Sequence, residues 1–247
     1  MEAGKALRMK RIFREDGKTL IIAMDRGGRG QDVPGLERPL ETIRKVAEGG
    51  ADAVLVNPGI VRRFYEAIPR NLGIIISIPM DPLYVELAAR LGVHGVKTTF
   101  FGSLEDKELK KLGPVAIACQ DWGIPFLAEI VPQDENRRLV PQAVKAAARM
   151  AAELGADFVK TAYPGSPEEF SEVVAKTFIP VVVLGGPKMD RDEDILKVAK
   201  SVMEAGGAGL CFGRNVFQHR NPTAMTRALA KIVHENASID DALKELA

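Results

Sequence analysis

Short apolar runs alternate with longer amphipathic segments along almost the whole chain. TLIIAMD (19–25), ADAVLVN (51–57), GIIISIP (73–79), HGVKT (94–98), PFLAEIV (125–131), DFVKTA (157–162), IPVVVLG (179–185) and AGLCFG (208–213) are aliphatic and often β-branched, and they read as strands. Between and after them, 36–49, 59–68, 81–91, 103–123, 137–154, 166–177, 190–205 and 222–235 carry helical spacing. Punctuation agrees with this division. Gly49–Gly50 stops the first helix, Asp81–Pro82 starts another, and a Ser-x-x-Asp box at Ser103 opens the segment after the fourth strand. A last short helix begins at Ser238. Strands so uniformly apolar belong to a parallel sheet covered on both faces. Eight such units in 247 residues specify a TIM (β/α)8 barrel, an α/β fold, as a single domain over 1–247. An open doubly wound sheet is the alternative. It fits fewer units better, and DRGGRG after the first strand lacks the dinucleotide G-x-G-x-x-G spacing.

The pattern contains a weak internal repeat. EGGADAVLVN (48–57), RLGVHGVKTT (90–99), ELGADFVKTA (153–162) and EAGGAGLCFG (204–213) all run from a helix end through glycine and a small residue into a strand. With Gly50, Gly92, Gly155 and Gly206 aligned, the fifth position onward holds Leu55, Lys97, Lys160 and Cys211. These are the second, fourth, sixth and eighth strands, whose inward side chains share layers in such a barrel. Lys97 and Lys160 are therefore expected in one layer, near the C-terminal strand ends where active sites of this fold lie.

A buried ammonium must be paired or lose its proton. A nucleophilic amine needs the neutral form, and a second cation and burial both lower a lysine pKa. On this basis Lys97 is expected to lower the pKa of Lys160, or the reverse. The neutral amine attacks a ketone and forms a Schiff base, an electron sink that allows the next C–C bond to break. Two carboxylates at strand ends, Glu129 and Asp25, are candidates for the accompanying proton transfer. Bland roles compete with these: a salt bridge to a lysine for Glu129, and a pairing with Arg26 or Arg29 for Asp25. Phosphate sites in barrels commonly use the loops after strands seven and eight. Gly185 and Gly186 in LGGPK (184–188), with Gly213 and Arg214 in FGRN (212–215), are the candidates here.

Composition narrows the function classes. Lys+Arg 34 against Asp+Glu 33 leaves a net charge of +1, which argues against nucleic-acid or membrane-surface partners. Cys119 and Cys211 make neither a disulfide framework nor a metal cage. His94, His219 and His234 lack metal-ligand spacing, so no metal is expected. Trp122 and Cys119 read as packing residues, and Tyr163 as a loop or core residue. With neither signal peptide nor membrane-length apolar run, a cytoplasmic protein is expected.

AMDRG (23–27), EGGADAVLVNPGIVRR (48–63), GADFVKTAYPG (155–165), LGGPK and GRNVFQH (213–219) resemble the class I aldolase superfamily of deoxyribose-phosphate, tagatose-bisphosphate and archaeal-type fructose-bisphosphate aldolases. The resemblance implies cleavage or formation of a C–C bond in a phosphorylated ketose, with Lys160 at the position of the Schiff-base lysine. It implies no cofactor beyond that covalent adduct, and a homo-oligomer. Arg214 falls in the last phosphate loop, and Asp25 in a D-R-G that stands where a D-H-G type motif is usual. The archaeal-type enzymes, and the related synthase that makes an aromatic amino-acid precursor, usually carry Tyr-Pro after strand five; here it is Val131–Pro132. Glu129 and Lys97 resemble the tagatose-bisphosphate branch instead. Two alternatives stay open: a transaldolase-like synthase of the 2-amino-3,7-dideoxy-heptulosonate type, and a non-catalytic phosphosugar-binding barrel.

Overall fold

The computed structural model describes residues 3–29 and 33–247, the side chain of Arg29 excepted. Eight parallel strands close into a barrel in sequence order: β1 (Thr19–Ala23), β2 (Ala53–Val56), β3 (Gly73–Ser77), β4 (Gly95–Gly102), β5 (Phe126–Pro132), β6 (Phe158–Thr161), β7 (Val181–Leu184) and β8 (Gly209–Phe212). Helices α1 (Ala3–Met9), α2 (Pro39–Glu48), α3 (Pro58–Phe64), α4 (Leu83–Arg90), α5 (Leu112–Asp121), α6 (Val144–Glu153), α7 (Pro167–Lys176), α8 (Asp192–Glu204), α9 (Arg214–Phe217), α10 (Pro222–Glu235) and α11 (Ile239–Leu243) accompany it. The expected TIM (β/α)8 barrel is what the chain forms. Among the described residues no helix is long and apolar enough to cross a membrane.

Strand parity explains why the runs look apolar throughout. One set of positions, among them Leu20, Ile22, Val54, Ile76, Val159 and Val183, packs outward under the helices. The other, including Ile21, Leu55, Ile75, Leu127, Phe158, Val182 and Cys211, fills the barrel interior. Both faces of each strand are thus removed from water, as in parallel sheets generally.

The bottom of the barrel is closed by the N-terminal segment, which the strand–helix alternation does not announce. Ile12 joins the interior cluster, and Phe13 stacks edge-on against Phe158 with centroids 5.3 Å apart. Buried Lys5 of α1 pairs with Asp157 at 3.0 Å. The internal repeat acquires a structural meaning here. Asp52, His94 and Asp157 occupy equivalent turns, and each accepts a backbone N–H from a neighbouring strand: Leu20 at 2.6 Å, Ile74 at 2.9 Å and Phe126 at 2.8 Å. Accepting through Nδ1 requires that nitrogen unprotonated. Burial, then the charges of Arg11 and Arg8, push the His94 pKa down to about 4.

Several boundaries differ from the sequence reading. The Ser103 box does not open the fifth α-helix: Asp106 caps a 3-10 turn over Lys107–Lys111, and α5 starts only at Leu112. The helix expected from 137 starts at 144, because Arg137 has φ 60 and Gln133 bridges Leu139 in a turned-back loop. β4 runs on to Gly102, so Thr99 lies within it. Trp122 caps the end of α5 with 46% of its surface exposed, which corrects its reading as a packing residue; Cys119 is buried.

Candidate active site

Lys97 from β4, Glu129 from β5 and Lys160 from β6 all point into the barrel near its C-terminal end. Parallel registry makes this possible: Lys97 pairs with Leu127, and Glu129 pairs with Lys160 across adjacent strands. Asp25 joins them from the 3-10 turn Asp25–Arg29 that follows β1. The four side chains form one buried chain of ion pairs. Asp25 Oδ2 lies 2.8 Å from Lys97 Nζ, which lies 3.1 Å from Glu129 Oε2, while Glu129 Oε1 lies 2.7 Å from Lys160 Nζ. Lys97 is fully buried. Both charges of each sign are matched, which is what allows four ionised groups to stay out of water. The competing role of Asp25 as the partner of Arg26 is excluded, since its carboxylate faces Lys97; the side chain of Arg29 lies outside the described residues.

The electrostatics correct one expectation. Burial pulls the Lys160 pKa down, but the carboxylates Glu129 and Asp25 around it more than offset this, and the net shift is upward. Burial likewise favours a protonated Glu129, yet Lys160 and Lys97 outweigh it and hold the carboxyl well below the usual range. Asp25 is held low in the same way, by Lys97 and then Lys160 against burial. The resting site is therefore an ammonium–carboxylate pair, and the second lysine does not leave Lys160 neutral. Glu129 Oε1, 2.7 Å from Lys160 Nζ, sits within one proton transfer of the amine. Cys211 lines the same space as a neutral thiol, its pKa pushed up to about 11 by burial.

Thr99 was not singled out from the sequence. Its hydroxyl accepts a hydrogen bond from Lys97 Nζ and donates one to Glu129 Oε2 at 2.8 Å. Oε2 is thereby engaged, leaving Oε1 toward Lys160. The signal was hidden by ending the fourth strand at 98, one residue short of the next inward-facing position.

The ion-pair chain opens into a cavity of about 240 Å³. Gly185, Gly186, Gly213 and Arg214 form one wall, as the sequence placed them, with Arg26, Phe101, Val131 and Gln133 around the rim. Arg214 Nη2 donates to the Gly186 carbonyl at 2.9 Å. Asn215, also absent from the sequence reading, is the buried strut of this wall. Its amide donates to the carbonyls of Gly185 at 2.7 Å and Pro187 at 3.1 Å, and its Oδ1 accepts the Met189 N–H at 2.8 Å. Gly213 is needed where β8 meets β1, since a Cβ there would lie 2.9 Å from the Ala23 carbonyl. Among the described residues no cluster of His, Cys, Asp and Glu has the grouping of a metal site.

Residues 19–219 match the DeoC/LacD family aldolase. The chain belongs to that family. It is 35% identical to the 2-amino-3,7-dideoxy-D-threo-hept-6-ulosonate synthase of Halobacterium salinarum, over 98% of this chain and 96% of that one. An uncharacterised aldolase of Saccharolobus solfataricus is 30% identical over 98% of this chain and 99% of its own. The structure superposes on an archaeal fructose-1,6-bisphosphate aldolase whose catalytic lysine is covalently bound to the carbinolamine intermediate. That match has a TM-score of 0.79 and 30% identity, covering 93% of this chain and 99% of the other. The protein is thus an aldolase of the class I superfamily.

Proposed function

We propose that this aldolase cleaves or forms a C–C bond of a phosphorylated ketose, with Lys160 as the Schiff-base nucleophile. The contact that carries the reading is the 2.7 Å pair between Lys160 Nζ and Glu129 Oε1, buried at the mouth of a cavity walled by Arg214 and Gly186. Substrate binding excludes water and favours transfer of the Lys160 proton to Glu129, giving a neutral pair. The free amine adds to the ketone carbon, and Glu129 returns the proton to the carbonyl oxygen, forming a carbinolamine. Loss of water leaves an iminium ion. Glu129, again a carboxylate, accepts the proton of the hydroxyl two carbons beyond. The C–C bond between breaks, its electron pair passes into an enamine, and an aldehyde departs. Protonation of the enamine carbon and hydrolysis regenerate Lys160. Lys97 and Asp25 stay paired with each other, fix Glu129, and present charge to substrate oxygens. No cofactor is required, because the iminium ion is itself the electron sink. Val131, where the resembled archaeal-type enzymes carry tyrosine, has no titratable atom, and in this reading Glu129 takes the proton transfer.

A second reading is a transaldolase-like synthase, in which the enamine passes to a second carbonyl acceptor; the 35% identity to the Halobacterium salinarum synthase favours it. We also propose one barrel domain over 1–247 that works in the cytoplasm and, from the family resemblance, forms a homo-oligomer.

The test is a retro-aldol screen over ketose mono- and bisphosphates, with products identified and borohydride added to parallel samples. The adduct is expected on Lys160, and Lys160→Ala abolishes both trapping and turnover. An adduct on Lys97 reverses the two roles, and turnover without any adduct overturns the assignment. Product formation that rises far above simple cleavage on adding an aldehyde acceptor selects the synthase reading.

A further inference from the structure

The 3-10 turn after β1 holds a cation that the ion-pair chain leaves out. Arg26 lines the same cavity as Arg214. Its immediate neighbour Asp25 is the obvious counterion, but that carboxylate is committed to Lys97 at 2.8 Å. Among the described residues Arg26 makes no ion pair with a carboxylate. The turn bearing it packs against the side chain of Asn57. Asn57 Nδ2 donates to the Asp25 carbonyl at 2.9 Å, and Gly28 lies so close to Asn57 that a Cβ would come within 2.8 Å of Oδ1. The two arginines issue from neighbouring strands, since Ile22 of β1 pairs with Phe212 of β8. Burial first, and then the charge of Arg26, lowers the pKa of Arg214.

Such an arrangement is costly in the empty site and favourable around an anion. The cavity and the buried chain behind it present four cations, Arg26, Lys97, Lys160 and Arg214, to two carboxylates, Asp25 and Glu129. Two positive charges remain, both on guanidinium groups. A phosphate monoester carries about −1.5 to −2 at neutral pH and offers oxygens to two guanidinium forks at once. We propose that Arg26 and Arg214 clamp one and the same phosphate group of the substrate, one arginine from each side of the β1–β8 seam. The inference rests on the phosphosugar reading above and adds to it a binding residue, Arg26, and a shared geometry. The arginine of D-R-G then serves substrate anchoring and takes no part in proton transfer.

Binding of inorganic phosphate to the free enzyme, measured by calorimetry, tests this without turnover. Arg26→Ala and Arg214→Ala are each expected to weaken phosphate binding about 10- to 100-fold, as for loss of charge-assisted hydrogen bonds. Arg26→Lys, which keeps the charge and loses the fork, falls between wild type and alanine. The double variant is expected to lose clearly less than the product of the single losses, because both arginines act on one anion. Arg26→Ala binding phosphate within twofold of wild type overturns the clamp. So does strict additivity, which assigns the arginines to separate anions, and so does wild type failing to bind phosphate. Borohydride trapping on the same samples keeps the two claims apart. Loss of trapping with intact phosphate coupling removes the Lys160 assignment and leaves the clamp, while trapping without an Arg26 effect does the opposite.

Discussion

Replacing Lys97 by methionine probes the electrostatic frame of the site directly. Methionine keeps much of the side-chain volume and removes the charge. Lys97 is 0% exposed, with Asp25 at 2.8 Å and Glu129 at 3.1 Å, so the substitution strands a buried carboxylate and leaves Glu129 with one cation. Breaking a buried pair by deleting one partner costs about 3–5 kcal/mol. In a chain of this size each kcal/mol moves Tm by roughly 2–4 °C, so a loss of roughly 6–20 °C is expected. The pH dependence carries the mechanism. In the wild type Asp25 has a lowered pKa, so its contribution is present above the usual carboxylate range and fades as pH falls through the folded value. In Lys97→Met, burial dominates and raises the Asp25 pKa above its unfolded value. The penalty is then smallest where Asp25 is protonated in both states and grows as pH rises. The gap between variant and wild type should therefore narrow from about pH 7 to about pH 5. Adding Asp25→Asn removes the stranded charge and should recover a large part of the loss. Urea denaturation followed by far-ultraviolet circular dichroism at both pH values measures all three proteins. The reasoning fails if Lys97→Met costs under about 1 kcal/mol, the range of exposed pairs, or if its penalty is the same at both pH values.

Two further outcomes follow from the geometry. Thr99→Val deletes the hydroxyl that holds Glu129 Oε2, and it should lower kcat about 10- to 100-fold with little change in KM, while Thr99→Ser stays near wild type. The limb of the pH–rate profile that reports Glu129 should also move upward in the valine variant, and equal loss in valine and serine variants would refute the hydroxyl's role. At the bottom of the barrel, His94 has its pKa lowered from 6.5 to about 4, so its contribution is complete above 6.5 and is lost as pH falls toward 4. His94→Asp installs the residue that already accepts a strand N–H at Asp52 and Asp157, and thermal unfolding of this variant should keep stability between pH 6.5 and 4 that wild type loses. An unchanged acid limb would show that His94 does not govern it.

The fold was legible because parallel strands buried on both faces leave unbroken aliphatic runs, and the amphipathic segments between them are long enough to be helices. What the runs conceal is parity: when both faces are apolar, composition does not say which residues point inward. The lysines broke that ambiguity, and the glycine-aligned repeat put Lys97 and Lys160 in one layer, where the structure has them. Residues beyond a misjudged strand end were lost, as Thr99 was, and so were elements too short to show a period, such as α1 under the barrel and α9 beside Arg214.

The sequence by itself determined the eight strand–helix units, the lysine pair and the two glycine-bearing loops after β7 and β8. Only the tertiary structure decided the protonation state of the site. That state depends on which oxygen of Glu129 meets which ammonium group, and on Asp25 reaching Lys97 from a turn on the far side of the barrel. A lysine beside a second lysine reads as a cation under repulsion. A carboxylate 2.7 Å from Lys160 reverses the sign, because Coulomb energy depends on distances that strand closure sets and chain order does not encode.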